Sequence, residues 1–181
     1  MIKRSKILIV EDEKIVAMDL RDRLEKLGYA VSSIASSIEE ALRKIKETRP
    51  DMVLLDIRLD HNTDGVKIAE QIRLRFKVPF IYMTAYADES TLEAAKKTAP
   101  YGYILKPFED KEIHTTIQIV LYKYKMEQKI REETENSLAA IIGGAELILE
   151  EGNQKHDRDT LQRIKLIINA ASKINQTIEK L

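Results

Sequence analysis

Five short apolar runs constrain this chain more than any other feature: KILIV at 6–10, AVSSI at 30–34, MVLLD at 52–56, FIYMT at 80–84 and YGYIL at 101–105. Each is long enough for a buried strand and too short for a helix. The stretches between them carry helical spacing, as in Ile15, Met18, Leu20, Leu24 and Leu27 ahead of Gly28. Strand–helix units repeated in this way predict an α/β fold, a five-stranded parallel sheet with helices on both faces. In such sheets ligands bind outside the carboxyl ends of the strands, near the point where strand order reverses. Those ends are therefore where function is to be sought.

Composition changes along the chain. All four prolines and all ten Tyr and Phe residues lie at or before Tyr124, and beyond it the apolar residues are aliphatic. This predicts two domains, 1–125 and 126–181, joined by continuous helix because nothing near the boundary resembles a flexible linker. Thirty Lys and Arg balance thirty Asp and Glu, so no net field draws the chain to nucleic acid or anionic lipid. The absence of cysteine excludes disulfides, thiol catalysis and thiolate metal sites. Only Ile7–Val10 is continuously apolar near the N-terminus, too short for a signal peptide, and no run approaches a membrane span. The expectation is a soluble cytoplasmic protein without a membrane partner.

The strand ends hold complementary chemistry. Glu11 and Asp12 follow the first run, Asp56 closes the third, Thr84 the fourth, and Lys106 follows the fifth. Three carboxylates in one crevice repel one another, and a hard divalent cation such as Mg²⁺, which takes oxygen ligands, relieves that. The same charge lets one aspartate attack phosphorus, while a lysine and a hydroxyl hold the remaining phosphoryl oxygens.

On ILIVEDE, DMVLLDIRLDHNTDG, IYMTAYAD and YGYILKPFEDKEI, the chain resembles the receiver domain of two-component response regulators over about residues 4–125. The resemblance implies a CheY-like, flavodoxin-like fold and a phosphorelay role. Asp56 is implied as the acceptor of a phosphoryl group from a sensor histidine kinase. Glu11, Asp12, Asp56 and the backbone carbonyl of Arg58 are implied as the Mg²⁺ site. Thr84 matches the switch hydroxyl, Lys106 the phosphoryl-pairing lysine, Tyr103 the switch aromatic and Gly65 the glycine opening the third helix. The chain is then a phosphoacceptor switch and not an enzyme, beyond autophosphorylation from small donors and self-dephosphorylation. Large residues at Arg58 and Tyr86, positions that tune phosphoryl lifetime in the family, imply slow self-dephosphorylation. His61, His114 and His156 have no clustered partners and read as surface residues.

From Asp110 the pattern Ile113, Ile117, Val120, Leu121 and Tyr124 continues without a stop signal. Leu138, Ile141, Ala145 and Ile148, broadened by Ile142 and Leu149, then Leu161, Ile164, Ile168, Ala171, Asn175 and Ile178, describe two helices around GNQKHD. Two wide apolar stripes cannot bury themselves alone, so a homodimer closing a four-helix bundle is expected, its core formed by Leu138, Ile141, Ala145, Ile148, Leu161, Ile164, Ile168 and Ala171. Through Leu138, Ile141, Ile142, Gly143, Glu146 and Leu147 the hairpin resembles the dimerisation and phosphotransfer (HisKA-like) domain of histidine kinases. Asn136 fits that pattern too. Glu132 stands where that family has its phosphorylated histidine, and a carboxylate cannot carry a phosphoramidate. The expected output is therefore binding of a downstream protein. Two alternatives are a DNA-binding regulator and a fragment of a receiver-containing kinase. Residues 126–181 hold eight basic against ten acidic residues, net −2, which disfavours a nucleic-acid face.

Overall fold

The computed structural model describes residues 4–59, 63–85, 93, 96–151 and 158–179. The chain divides into two compact units, Met1–Tyr124 and Lys125–Leu181. No described helix is long and apolar enough to cross a membrane.

In the first unit the apolar runs are strands: β1 (Lys6–Val10), β2 (Ala30–Ala35), β3 (Met52–Asp56), β6 (Phe80–Thr84) and β7 (Gly102–Leu105). They form one parallel sheet in the order β2-β1-β3-β6-β7. The chain leaves β1 first to one side and then to the other, so the reversal point lies at the carboxyl ends of β1 and β3. A short antiparallel pair, β4 (Arg58–Leu59) and β5 (Thr63–Asp64), follows β3.

Successive strand residues point to opposite faces, which divides the core in two. Leu8, Val10, Val53, Leu55 and Tyr82 pack with α2 (Ile38–Thr48) and α3 (Gly65–Arg75). Ile7, Ile9, Leu54, Ile81 and Met83 pack with Leu20 and Leu24 of α1 (Lys14–Lys26) and with Ile113 and Ile117 of α4 (Asp110–Glu151). Ser37 caps α2, accepting from the Glu40 N–H at 3.2 Å, while the Glu40 carboxylate accepts from the Ser36 N–H at 3.0 Å.

The second unit comprises α4 from Lys125 onward and α5 (Arg158–Glu179). The Arg131 guanidinium donates to the Ile178 carbonyl, so the two helices run antiparallel. Seven residues further along each helix from that contact, Leu138 is level with Ala171, and seven more bring Ala145 level with Ile164. All four are buried, a large side chain opposite a small one each time. Leu161 and Ile168 are half-buried. Ile141 and Ile148 lie outside this two-helix seam, 48% and 42% exposed in the single chain. Ile142 and Leu149 are turned further inward. The 3-4 pattern tolerates either phase, and the buried positions of α4 in this unit are Leu138 and Ala145.

Candidate functional site

The site is built from side chains that the parallel register brings to one edge. Asp56 is the last residue of β3, and Thr84 ends β6 next to it in the sheet. The Lys106 N–H donates to the Thr84 carbonyl at 2.8 Å, which carries the chain from β7 back toward β3. Glu11 follows β1, its N–H donating to the Ala35 carbonyl at 2.9 Å. Glu11, Asp56 and Thr84 are 1%, 6% and 6% exposed, unusually low for such residues.

Lys106 joins the carboxylates. Its Nζ lies 2.7 Å from Glu11 Oε2 and also pairs with Asp56 Oδ2. The other Asp56 oxygen accepts from the Arg58 N–H at 2.9 Å, which fixes the plane of the carboxylate. Burial pushes the Glu11 carboxyl up to about 7 and outweighs the opposing Lys106 hydrogen bond, with the negative charge of Asp56 pushing the same way. Burial pulls the Lys106 ammonium down, but its hydrogen bonds to Asp56 and Glu11 prevail and its pKa is raised.

One carboxylate oxygen from each of Glu11, Asp12 and Asp56 lies within 4.8 Å of the others. Three hard oxygen donors, two of them buried and served by a single lysine, are chemically suited to a divalent cation.

Tyr103 pairs in register with Tyr82 on the neighbouring strand, and their rings stack at 5.8 Å. The Tyr82 hydroxyl is 3.0 Å from Thr98 Oγ1. Tyr103 Oη, by contrast, is buried without a hydrogen-bond partner among the described residues, and burial raises its pKa. Tyr103 is among the residues expected at the site and Tyr82 is not. The available signal was parity, because Tyr82 lies two residues before Thr84 and so shares its face. Tyr103→Phe deletes an unsatisfied hydroxyl and should leave unfolding free energy unchanged or higher by up to about 1 kcal/mol, whereas Tyr82→Phe should cost about 1 kcal/mol. Urea titrations of both variants check this, and the opposite order would show that the Tyr103 hydroxyl has a stabilising partner.

Gly65 opens α3 directly beneath the site. A Cβ there would lie 2.4 Å from the Asp56 carbonyl oxygen and 2.7 Å from that of Ile57, so no other residue fits. His114 lies away from the acidic cluster, its Nδ1 3.0 Å from the Tyr29 hydroxyl. Tyr86, His61 and His156 lie outside the described residues.

A doubly wound parallel sheet with an acidic triplet, a lysine and a hydroxyl at the carboxyl edge of its central strands defines a receiver-type domain. The chain belongs to the response regulator receiver domain family, whose family model matches residues 7–118. It is 27% identical over 120 residues to the transcriptional regulatory protein PdtaR of Mycobacterium tuberculosis, covering 66% of this chain and 58% of that protein. It is 36% identical over 118 residues to the probable transcriptional regulator ycf27 of Guillardia theta, covering 65% and 46%. Among solved structures it resembles the signal receiver domain of a modulated diguanylate cyclase from Desulfovibrio desulfuricans, at 37% identity and a TM-score of 0.66, covering 69% of this chain and 99% of that one. The chain spans about half the length of the curated relatives it matches. Its receiver-domain homologues are response regulators of two-component systems; receiver domains bind Mg²⁺ at an acidic pocket and interact with sensor histidine kinases.

Proposed function

We propose that this chain is a phosphorylation-controlled switch of the cytoplasm, with the receiver as input and the C-terminal hairpin as a protein-binding, self-associating output. The observation that supports this most is Asp56: a buried carboxylate, oriented by the Arg58 N–H and gathered with Glu11, Asp12 and Lys106 at the reversal point of the sheet.

In the proposed reaction an Asp56 oxygen attacks the phosphorus of a kinase phosphohistidine. The P–N bond breaks, its electron pair returns to the imidazole nitrogen, and an acyl phosphate remains on Asp56. Glu11, Asp12, Asp56 and the Arg58 carbonyl are the proposed holders of Mg²⁺, which when bound neutralises charge between the carboxylates and the phosphoryl oxygens. Lys106, released from the Asp56 carboxylate, pairs with one phosphoryl oxygen, and the Thr84 hydroxyl donates to another. Movement of Thr84 and Tyr103 then alters the face beside β7, and α4 continues from that unit into the hairpin sequence. The hairpin is read as kinase-like helices with an exposed Glu132 in place of the phosphorylated histidine, so it binds a partner and transfers no phosphoryl group. Arg58 and Tyr86 are expected to slow self-dephosphorylation.

Incubation with Mg²⁺ and acetyl phosphate should add one phosphoryl group by intact-mass spectrometry to the wild type and none to Asp56→Ala. A wild type that stays unmodified, or a modified Asp56→Ala, overturns the assignment. A phosphoryl half-life of only seconds would overturn the reading of Arg58 and Tyr86.

A further inference from the structure

The carboxyl edge of the sheet carries the acidic site, and the opposite edge carries a groove of contrary character. Ile45, Lys46, Arg49 and Pro50 at the end of α2, with Phe76 and Val78 beyond α3, line a groove of about 410 Å³. Ile45 and Pro50 are buried and Phe76 and Val78 half-buried, so the floor is apolar, while Lys46 and Arg49 are exposed at the rim. Pro50 leads into β3 six residues before Asp56, about 20 Å along an extended strand. The groove is therefore separate from the acidic site.

The cations here are unpaired and stand where local conformation disfavours them. Glu47 pairs with Arg43 at 3.1 Å and with Lys44 at 3.6 Å, and Asp51 accepts from the Lys6 N–H at 2.7 Å. Those acids are engaged, whereas Lys46, Arg49 and Lys77 form no ion pair among the described residues. Arg49 closes α2 in the left-handed region at φ 46°, and Lys77, between Phe76 and Val78, follows α3 at φ 51°. Glycine is the usual residue at such helix ends, because a Cβ is disfavoured there. A cation serving only the helix dipole could sit in the last helical turn, at a conformation any residue adopts. The helix ends alone therefore do not account for a basic residue at both positions. The wall at Lys77 is also held in place: its N–H donates to the Ile72 carbonyl at 3.2 Å, and its carbonyl accepts from the Tyr124 hydroxyl.

We propose that this groove receives an acidic peptide segment of a partner protein. One apolar side chain of the segment sits on Ile45, Pro50, Phe76 and Val78, and carboxylates flanking it pair with Lys46 and Arg49. Charge complementarity selects the sign of the segment, and the apolar floor selects a peptide over a free inorganic anion. The groove opens to solvent, which suits a chain that continues past the anchor better than an enclosed small molecule. A membrane or a nucleic acid needs a continuous basic face, and α2 interrupts that face with Glu39, Glu40 and Glu47. Binding here needs no phosphoryl group, so it stands apart from the proposed role of Asp56.

The probe is the synthetic peptide acetyl-EDFDE-amide, titrated into the full chain labelled with ¹⁵N. Amide shifts should saturate and concentrate at Lys46, Arg49, Phe76 and Val78. Replacing the peptide's phenylalanine by serine, or its acids by lysine, should weaken binding about tenfold, and raising salt from about 0.05 to 0.5 M should weaken it severalfold. Arg49→Gly separates binding from folding. Glycine suits φ 46°, so Tm should hold or rise while peptide affinity falls about fivefold. Lys46→Gln should lower affinity to the same extent with Tm unchanged. The proposal is overturned if the shifts are absent or scattered, if the serine peptide binds as tightly, or if Arg49→Gly keeps wild-type affinity. It is overturned as well if phosphatidylglycerol vesicles shift these residues and the peptide does not. The same shifts on concentrating the free protein would overturn it by assigning the groove to a second copy. Phosphoryl addition at Asp56 is measured on Arg49→Gly and should match the wild type, so failure of the groove and failure of the switch are read separately.

Discussion

Lys106→Ala should destabilise the metal-free receiver by about 3 kcal/mol at neutral to alkaline pH, the magnitude seen when one partner of a buried ion pair is removed. Lys106 is the cation that Glu11 and Asp56 share, and both carboxylates are nearly inaccessible to water. Without it, their desolvation and mutual repulsion are uncompensated. The sign of the pH dependence follows from Glu11. Its folded pKa of about 7 lies above the ordinary 4.5, so in that window the native state binds more protons than the unfolded chain. Stability therefore falls as pH rises from about 4.5 to 7. Losing Lys106 removes the contributions that hold Glu11 down, which widens the window upward. The variant should accordingly recover much of its stability near pH 5, and millimolar Mg²⁺ should recover part of it at pH 8 by binding only the folded state. Denaturant titrations at pH 5 and pH 8, with and without Mg²⁺, check this. Equal losses under all conditions would mean that Lys106 acts through packing and not through charge.

Gly65→Ala is expected to cost about 3 kcal/mol, or roughly 6–12 °C in Tm, and to depress phosphoryl acceptance at Asp56. The new methyl group would meet two backbone oxygens, those of Asp56 and Ile57. No rotamer change can relieve a clash with backbone, so the end of β3 must shift, and Asp56 with it. The same substitution should have the opposite sign elsewhere. A Cβ at Gly143 or Gly144 meets nothing within 4 Å, so alanine there should stabilise the helix by about 0.5–1 kcal/mol each. Thermal melts of the three single variants give a direct comparison. A Gly65→Ala protein with wild-type Tm and wild-type phosphoryl uptake would contradict the steric argument.

The strands and their polar ends were legible because a buried parallel strand needs a continuous apolar run and the residues just beyond it must stop that run. Met52–Asp56 and Phe80–Thr84 match the expected bounds without adjustment. The β4–β5 pair was not legible, since a two-residue antiparallel bridge has no periodicity to detect. Nor was the Tyr29–His114 contact, which joins residues 85 apart in sequence. In the hairpin, Leu138, Ala145, Ile164 and Ala171 are buried within the single chain. The side to which Ile141 and Ile148 turn depends on a phase that the sequence pattern leaves open.

By itself, then, the order of residues along this chain determined the alternation of strands and helices and brought Glu11, Asp12, Asp56, Thr84 and Lys106 to strand ends. Those are consequences of local periodicity and of where apolar runs stop. Tertiary structure decided that a single lysine serves both Glu11 and Asp56, that burial lifts the Glu11 carboxyl toward neutrality, and that Tyr103 stacks on Tyr82 with its hydroxyl unpaired among the described residues. It also decided which isoleucines of the hairpin remain uncovered. Each of these depends on distances between residues far apart in sequence and on how much water remains beside them, and neither quantity is written in a one-dimensional pattern.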